Sequence, residues 1–175
     1  MAVILNELHI QSHIHRLATE IHNTNSGPLV FLGLGDNGVI LAKRLASYIL
    51  KEFDQTILVG QLDVTLYKSH DQREHFVTMG KSDINFSIQH KTVILITDQV
   101  NTGKTMIAGL NALCDYGEPN VVKCCCLVFR ECIRRPIHFD YIGESISTSV
   151  SSSLVCCFYE KDGEDLVKDV TKEHV

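Results

Sequence analysis

The sequence predicts an α/β protein built on a doubly wound, mainly parallel sheet with helices on both faces. Three observations carry this. Short apolar runs alternate with helical periods along the chain. The runs are apolar throughout rather than at every second residue, as strands buried on both faces require. Two glycine-containing turns, 33–38 and 98–105, each follow such a run and open a helix, and ligands of open α/β sheets bind at that edge.

Taken in order, Asn6 followed by "ELHIQSHIHRLATEIHN" reads as an N-capped helix, with Leu8, Ile14, Leu17 and Ile21 near helical spacing. "NTNSGP" (23–28) is a loop, "LVFLGL" (29–34) a strand, and "GDNG" (35–38) a tight turn before a helix over 39–53. A strand is expected within 56–68. Residues 69–90 are polar and without a sustained period, in the manner of a lid or binding loop. "TVILIT" (92–97) is a buried strand, 103–117 a helix closed by Gly117, and 121–129, 139–143 and 154–159 are further strands. The last stretch, "EKDGEDLVKDVTKEHV", reads as a charged tail, helical or frayed. One domain over 1–160 and a tail over 161–175 are expected.

Composition narrows the function. The 175 residues are 45% hydrophobic and 21% charged, an ordinary globular balance. No apolar run approaches the roughly 20 residues of a membrane span. The N-terminus lacks a basic lead and a cleavage site, so a cytoplasmic protein is expected. Net charge is −5, whereas nucleic-acid binding leaves a basic footprint. Seven cysteines without a Cys-x-x-Cys pair read as reduced thiols, and "KCCCLVF" as a buried strand.

The stretch "VILITDQVNTGKT" (93–105) carries the chemistry. A nucleoside-triphosphate loop needs glycine five residues before Gly103, and Asp98 stands there. "GLGDNG" (33–38) matches a dinucleotide fingerprint, but Glu52 and Asp54 fall at a helix end rather than at the end of the next strand. The arrangement that fits the whole stretch is a ribose-5-phosphate loop. Backbone N–H groups from Asn101 to Thr105 and the hydroxyls of Thr102 and Thr105 can hold a 5′-phosphate at a helix N-terminus. A carboxylate at the strand end can accept from ribose hydroxyls and favour positive charge on the anomeric carbon.

This loop resembles that of type I phosphoribosyltransferases. "MAVILNELHI", "GVILAKRLA" (38–46), "VGQLDVTLYK" (59–68), "KSDINFSI" (81–88) and "FDYIGESISTS" (139–149) extend the resemblance to the pyrimidine-operon attenuator and uracil phosphoribosyltransferase family, PyrR. The resemblance implies a type I phosphoribosyltransferase-like fold and transfer of ribosyl phosphate from phosphoribosyl pyrophosphate to uracil or a relative, with Mg²⁺. It implies ribose 5-phosphate binding by Thr97, Asp98, Asn101, Thr102, Gly103, Lys104 and Thr105, with Asp98 as the catalytic acid and a contact to a Mg²⁺ held mainly by the substrate. It implies a pyrophosphate turn at Gly35, Asp36, Asn37 and Gly38, and a base pocket at Val128, Phe129 and Arg130. It also implies a mobile arm over 68–82, an arm and hood region within 68–90, and a homo-oligomer.

The chain departs from the family within the site. Thr97 stands where a second acid is usual, Gln99 replaces an apolar residue, Asn101 an aromatic one, and Gly35, Asp36 and Asn37 a basic turn. Phe129-Arg130-Glu131-Cys132-Ile133 replaces an Asp-Arg-Gly-His-Arg pattern, and Glu144 stands where lysine is common, although Arg16, Lys43, Arg134 and Arg135 are present. With the net charge, this argues against RNA as a partner. Two readings stay open: a phosphoribosyltransferase of weak activity, which the arm strand "GQLDVTLYK" favours, and a non-catalytic binder of nucleotide 5′-phosphates, which the lost acid and lost basic turn favour; the balance falls to the first. His9 and His13 have the spacing of two metal ligands but no third partner in the sequence and read as surface histidines, and Cys132, although Arg130 and Arg134 would favour its thiolate, reads as an ordinary thiol.

Overall fold

The computed structural model describes residues 2–65, 82–131, 135–147 and 153–170. The elements run β1 (Ala2–Leu5), α1 (Glu7–Thr24), β2 (Leu29–Leu34), α2 (Gly35–Phe53), β3 (Leu58–Leu62), β4 (Thr92–Val100), α3 (Lys104–Leu113), β5 (Val121–Arg130), β6 (Tyr141–Ile146), β7 (Leu154–Cys157), α4 (Tyr159–Asp162) and β8 (Leu166–Asp169). Five strands form a parallel sheet in the order β3-β2-β4-β5-β6. The chain goes from β2 outward to β3 and then returns to place β4 on the other side of β2. The order therefore reverses between β2 and β4, and the crevice at such a reversal is where open α/β sheets bind ligands.

Helices cover both faces as expected. Asn6 caps α1 by accepting from the His9 N–H at 3.0 Å, and α1 buries Ile10, Ile14, Leu17, Ala18 and Ile21. Leu8, expected on the buried face, is instead 73% exposed, one residue off the buried stripe, and Ile10, which the spacing did not single out, is buried. With α2, this face packs on Phe31, Ile94, Ile96, Cys125 and Leu127. The opposite face buries Leu32, Val93, Leu95, Cys124 and Cys126 with Met106, Ala112 and Leu113 of α3. The cysteine triplet is thus strand core, its thiols alternating between the two faces.

Several boundaries differ from the expectation. Residues 35–38 are the first turn of α2 rather than a separate turn, entered through Gly35 at φ +68°. β4 continues to Val100, three residues past the expected end, because Gln99 and Val100 pair with Val128 and Phe129 of β5. α3 stops at Leu113 and tightens into a 3₁₀ turn, Cys114–Tyr116, before Gly117. β3 is five residues, and Asp83 returns beside it in an isolated antiparallel bridge to Gln61. The rest of the expected arm, from 66 to 81, lies outside the described residues, as do 171–175.

A second sheet had no counterpart in the reading. β1, β8 and β7 form an antiparallel sheet in that order, with Ala2 opposite Asp169. Residues 166–169, expected as helical or frayed tail, are its middle strand. Arg44 of α2 fastens this sheet to the body of the protein. Its guanidinium forks between Glu160 and Asp165, with 2.7 and 2.8 Å contacts to the latter, and lies 5.0 Å from the Phe158 ring centroid. The Arg44 hydrogen bond holds the Glu160 carboxyl below the usual carboxylate range. Burial pushes Asp165 upward, but donors from Arg44 and the Tyr159 N–H outweigh it, so its pKa is also lowered.

The glycines of the 33–38 pattern have a packing role. A Cβ on Gly33 would lie 2.4 Å from Val39 Cα, and one on Gly38 would lie 2.5 Å from the Ile96 carbonyl oxygen. Asp54, one of the acids the dinucleotide fingerprint would need, closes α2 as a left-handed cap ahead of β3. The glycines let α2 approach the sheet, which accounts for the pattern without a dinucleotide.

Gly38→Ala should cost about 1–3 kcal/mol or more, because backbone rather than a pliable side chain must give way; urea unfolding measures it. The Arg44 network makes a pH-dependent prediction. Both acids have depressed folded pKa values, so their contribution is present above the unfolded value of about 4 and is lost as pH falls through the folded values. Arg44→Met should lower stability by roughly 1–3 kcal/mol at pH 7, and the gap to the parent should narrow in unfolding curves at pH 3. An equal gap at both pH values would assign the effect to packing on Phe158 instead.

Candidate active site at the sheet reversal

A cleft of about 440 Å³ opens where the sheet order reverses. Its walls are the β2–α2 turn, the β4–α3 loop, Arg130 from the end of β5, and Ser153, Leu154 and Lys161 from the small-sheet side. The loop takes its shape from Gly103, whose φ of +82° lets the chain turn directly into α3. First-turn N–H groups of a helix have no partner within the helix, and those of α3 begin at Lys104 on this loop. Asn101, Thr102, Gly103, Lys104 and Thr105 all line the cleft, and Arg135 steadies the loop by donating to the Thr102 carbonyl at 3.2 Å.

Asp98, the next to last residue but one of β4, also faces the cleft. One carboxylate oxygen accepts from the Gln99 N–H at 2.8 Å and the other from the Asn37 side-chain amide at 2.9 Å. Thr97 borders the cleft but is 3% exposed, its hydroxyl 3.4 Å from both Asp98 Oδ1 and the Gln99 carbonyl. The turn divides. Gly35, Asp36 and Asn37 line the cleft, whereas Gly38 is packed under it against β4. Asp36 is exposed and lies 3.6 Å from Lys161 Nζ.

The residues expected at a base pocket do not stay together. Arg130 is buried and reaches the cleft, but Val128 belongs to the core and Phe129 packs edge-on against Phe139, centroids 5.6 Å apart. β5 carries Phe129 opposite Val100, inside the sheet, so its ring is not offered as a stacking platform. Other positions are taken by residues that sequence reasoning did not single out: Val64, Met106, Ser153, Leu154 and Lys161. Lys161 stood in the charged run "EKDGED", which carries no periodic signal.

Two of the departures turn out to bond the small sheet to the site. The Gln99 side-chain amide donates to the Leu154 carbonyl at 3.2 Å, and that of Asn37 to the Cys156 carbonyl at 3.0 Å. Asn37 Oδ1 is left buried beside Asp98 without a donor. Burial pushes the neighbouring Cys156 thiol well up and Cys124 to about 12, so these cysteines are neutral packing groups and not nucleophiles. His9 helps cap α1 and His13 pairs with Glu144 at 3.3 Å. Among the described residues no three His, Cys, Asp or Glu side chains form a metal cage. Cys132 and Arg134 lie outside the described residues.

Comparison with known proteins agrees with this geometry. The chain matches the Phosphoribosyl transferase domain family over residues 3–159. It is 39% identical over 168 residues to the Bifunctional protein PyrR of Desulfosudis oleivorans, covering 94% of this chain and 93% of that one. It is 36% identical over 171 residues to the Bifunctional protein PyrR of Bacillus subtilis, at 95% and 94% coverage. Among solved structures, a hypoxanthine-guanine phosphoribosyltransferase from Bacillus anthracis superposes with a TM-score of 0.72 at 18% identity, covering 98% of both chains. A purine phosphoribosyltransferase from Pyrococcus horikoshii does so at 0.61 and 25%, covering 81% of this chain and 85% of that one. With a type I phosphoribosyltransferase fold, a cleft lined by the 101–105 loop at the sheet reversal and relatives of this identity over nearly the full chain, the chain belongs to the phosphoribosyl transferase domain family and, within it, to the PyrR proteins.

Proposed function

We propose that the protein transfers ribose 5-phosphate from phosphoribosyl pyrophosphate to a nucleobase, uracil or a relative, at a lowered rate. The observation that carries this is the convergence of Asp98, the 102–105 loop and the β2–α2 turn on one cleft. The loop N–H groups and the Thr102 and Thr105 hydroxyls hold the 5′-phosphate, with Lys104 adding charge. Asp98 accepts hydrogen bonds from the ribose hydroxyls and, fixed by Gln99 and Asn37, keeps negative charge near the anomeric carbon as positive charge develops there. In the transfer, the bond from that carbon to the diphosphate breaks with its electron pair left on the diphosphate. The base nitrogen forms the new bond, and its proton passes to solvent.

Mg²⁺ is compatible with these residues as an ion held mostly by substrate phosphates. Asp98 opens on the cleft and Asn37 Oδ1 is an acceptor without a donor, while no dedicated cage exists among the described residues. Bound there, the ion would neutralise charge on the departing diphosphate. Thr97 is the cost in rate: losing one electrostatic contact of this kind lowers turnover by about 10²–10³. Of the three residues expected at the base pocket Arg130 alone lines the cleft, and the core places of Val128 and Phe129 leave further recognition of the base to other groups. The proposal includes a cytoplasmic homo-oligomer that does not act through RNA, the last on a net charge of −5.

A second reading, a non-catalytic binder of nucleotide 5′-phosphates, is favoured by one contact. The Asn37 amide already occupies an Asp98 oxygen that ribose would use, and it does so from the turn expected to receive diphosphate.

Melting curves separate the two. With Mg²⁺ and phosphoribosyl pyrophosphate at about 100 times its dissociation constant, the transition should rise by an amount equivalent to roughly 2.7 kcal/mol. The double variant Lys104→Ala, Thr105→Ala should lose that shift and Cys125→Ala should keep it. A shift with UMP, GMP or ribose 5-phosphate but none with the pyrophosphate donor would establish the binder and remove the enzyme. Thr97→Asp should raise uracil turnover by on the order of 10², read in a radiolabelled-uracil assay; an unchanged rate would take the lost acid out of the explanation.

A further inference from the structure

The β2–α2 turn brings no cation to the cleft, since Gly35, Asp36 and Asn37 are its residues there. Among the described residues the cationic side chains lining the cleft are Lys104, Arg130 and Lys161. Lys161 is the one beside the turn, its ammonium 3.6 Å from Asp36 Oδ2. It is carried by α4, a helix of four residues, which cannot hold its own shape in water. Each neighbour of Lys161 supplies an outside brace. Phe158 is fully buried and donates its N–H to the Asp162 carboxylate at 2.9 Å. Glu160 is held by Arg44, and the Tyr159 N–H donates to Asp165 at 2.7 Å. Gly163, left-handed at φ +76°, closes the turn. The backbone of Lys161 is therefore fixed while its half-exposed ammonium stands at the cleft.

The contact with Asp36 is long and open to water, and exposed pairs of this kind contribute little. It is a contact that a better anion displaces. We propose that Lys161 binds the diphosphate group of the phosphoribosyl donor, supplying from α4 the positive charge that the β2–α2 turn lacks. This deepens the proposed function and rests on it. The 5′-phosphate goes to the loop after β4, and Lys161 serves the turn after β2, the adjacent strand. Asp36 competes with the diphosphate for the same ammonium and repels it, so it opposes donor binding.

The test is titration calorimetry of the full chain with Mg²⁺, using phosphoribosyl pyrophosphate and ribose 5-phosphate as paired probes. Lys161→Ala and Lys161→Met should weaken the pyrophosphate donor by roughly 10-fold or more, as loss of a charge-assisted contact does, and leave ribose 5-phosphate within about twofold. Lys161→Arg should restore most of the affinity, and Asp36→Asn should tighten the donor alone. Melting without ligand shows whether each variant is folded, and the Arg variant keeps the charge if the neutral ones are not. Unchanged donor affinity in folded Lys161→Ala overturns the role of Lys161 and leaves the proposed function standing. A parent that binds the donor no better than ribose 5-phosphate, or binds neither, overturns both.

Discussion

The site depends on one close approach: the first turn of α2 lies against β2 and β4 with no side chain between them. Gly33 and Gly38 make this contact, each so near backbone that a methyl group does not fit. The approach brings Asn37, at the start of α2, within hydrogen-bond distance of Asp98, near the end of β4. It also sets the β2–α2 turn and the β4–α3 loop as facing walls of one crevice. A donor with phosphate groups at both ends needs two such walls, and a parallel sheet with a reversal in strand order provides them.

The changes in the site are coupled rather than scattered. Asn37 and Gln99, which replace a basic and an apolar residue of the family pattern, both donate to carbonyls of β7. Each neutral hydrogen bond contributes about 0.5–1.5 kcal/mol, and together with Arg44 they tie the small sheet to the catalytic edge. The turn now brings a carboxylate, and the cation beside it comes from α4. Thr97 fits this picture, since a buried hydroxyl carries no charge that would need solvent or a counterion.

Much of the fold could be read from the chain. The alternation of apolar runs and helical periods led to the five parallel strands and their three covering helices, and the Asn6 cap and the Gly103 turn stand where residue type alone put them. The loop proposed to hold phosphate could be picked out for the same reason, since strand, carboxylate and Thr-Gly-Lys-Thr are contiguous, and these residues line the cleft. Boundaries were less so. β4 outran its apolar segment because Gln99 and Val100 pair with Val128 and Phe129 of β5, and Phe129 packs on Phe139 rather than facing the cleft.

The sequence by itself determined the succession of the five parallel strands and three long helices, the two glycine stretches at the sheet edge and the acid-plus-loop signature, because each is encoded within about one strand and one helical turn. Only the tertiary structure decided the small sheet, the ties from Asn37 and Gln99 to β7, and the presence of Lys161 at the cleft. These contacts join residues such as Ala2 and Asp169, or Asn37 and Cys156, far apart along the chain. Short strands of four residues leave almost no period to detect, and a lysine in a charged run looks like any solvated lysine until packing of Phe158 and the Arg44 fork fix where its backbone goes.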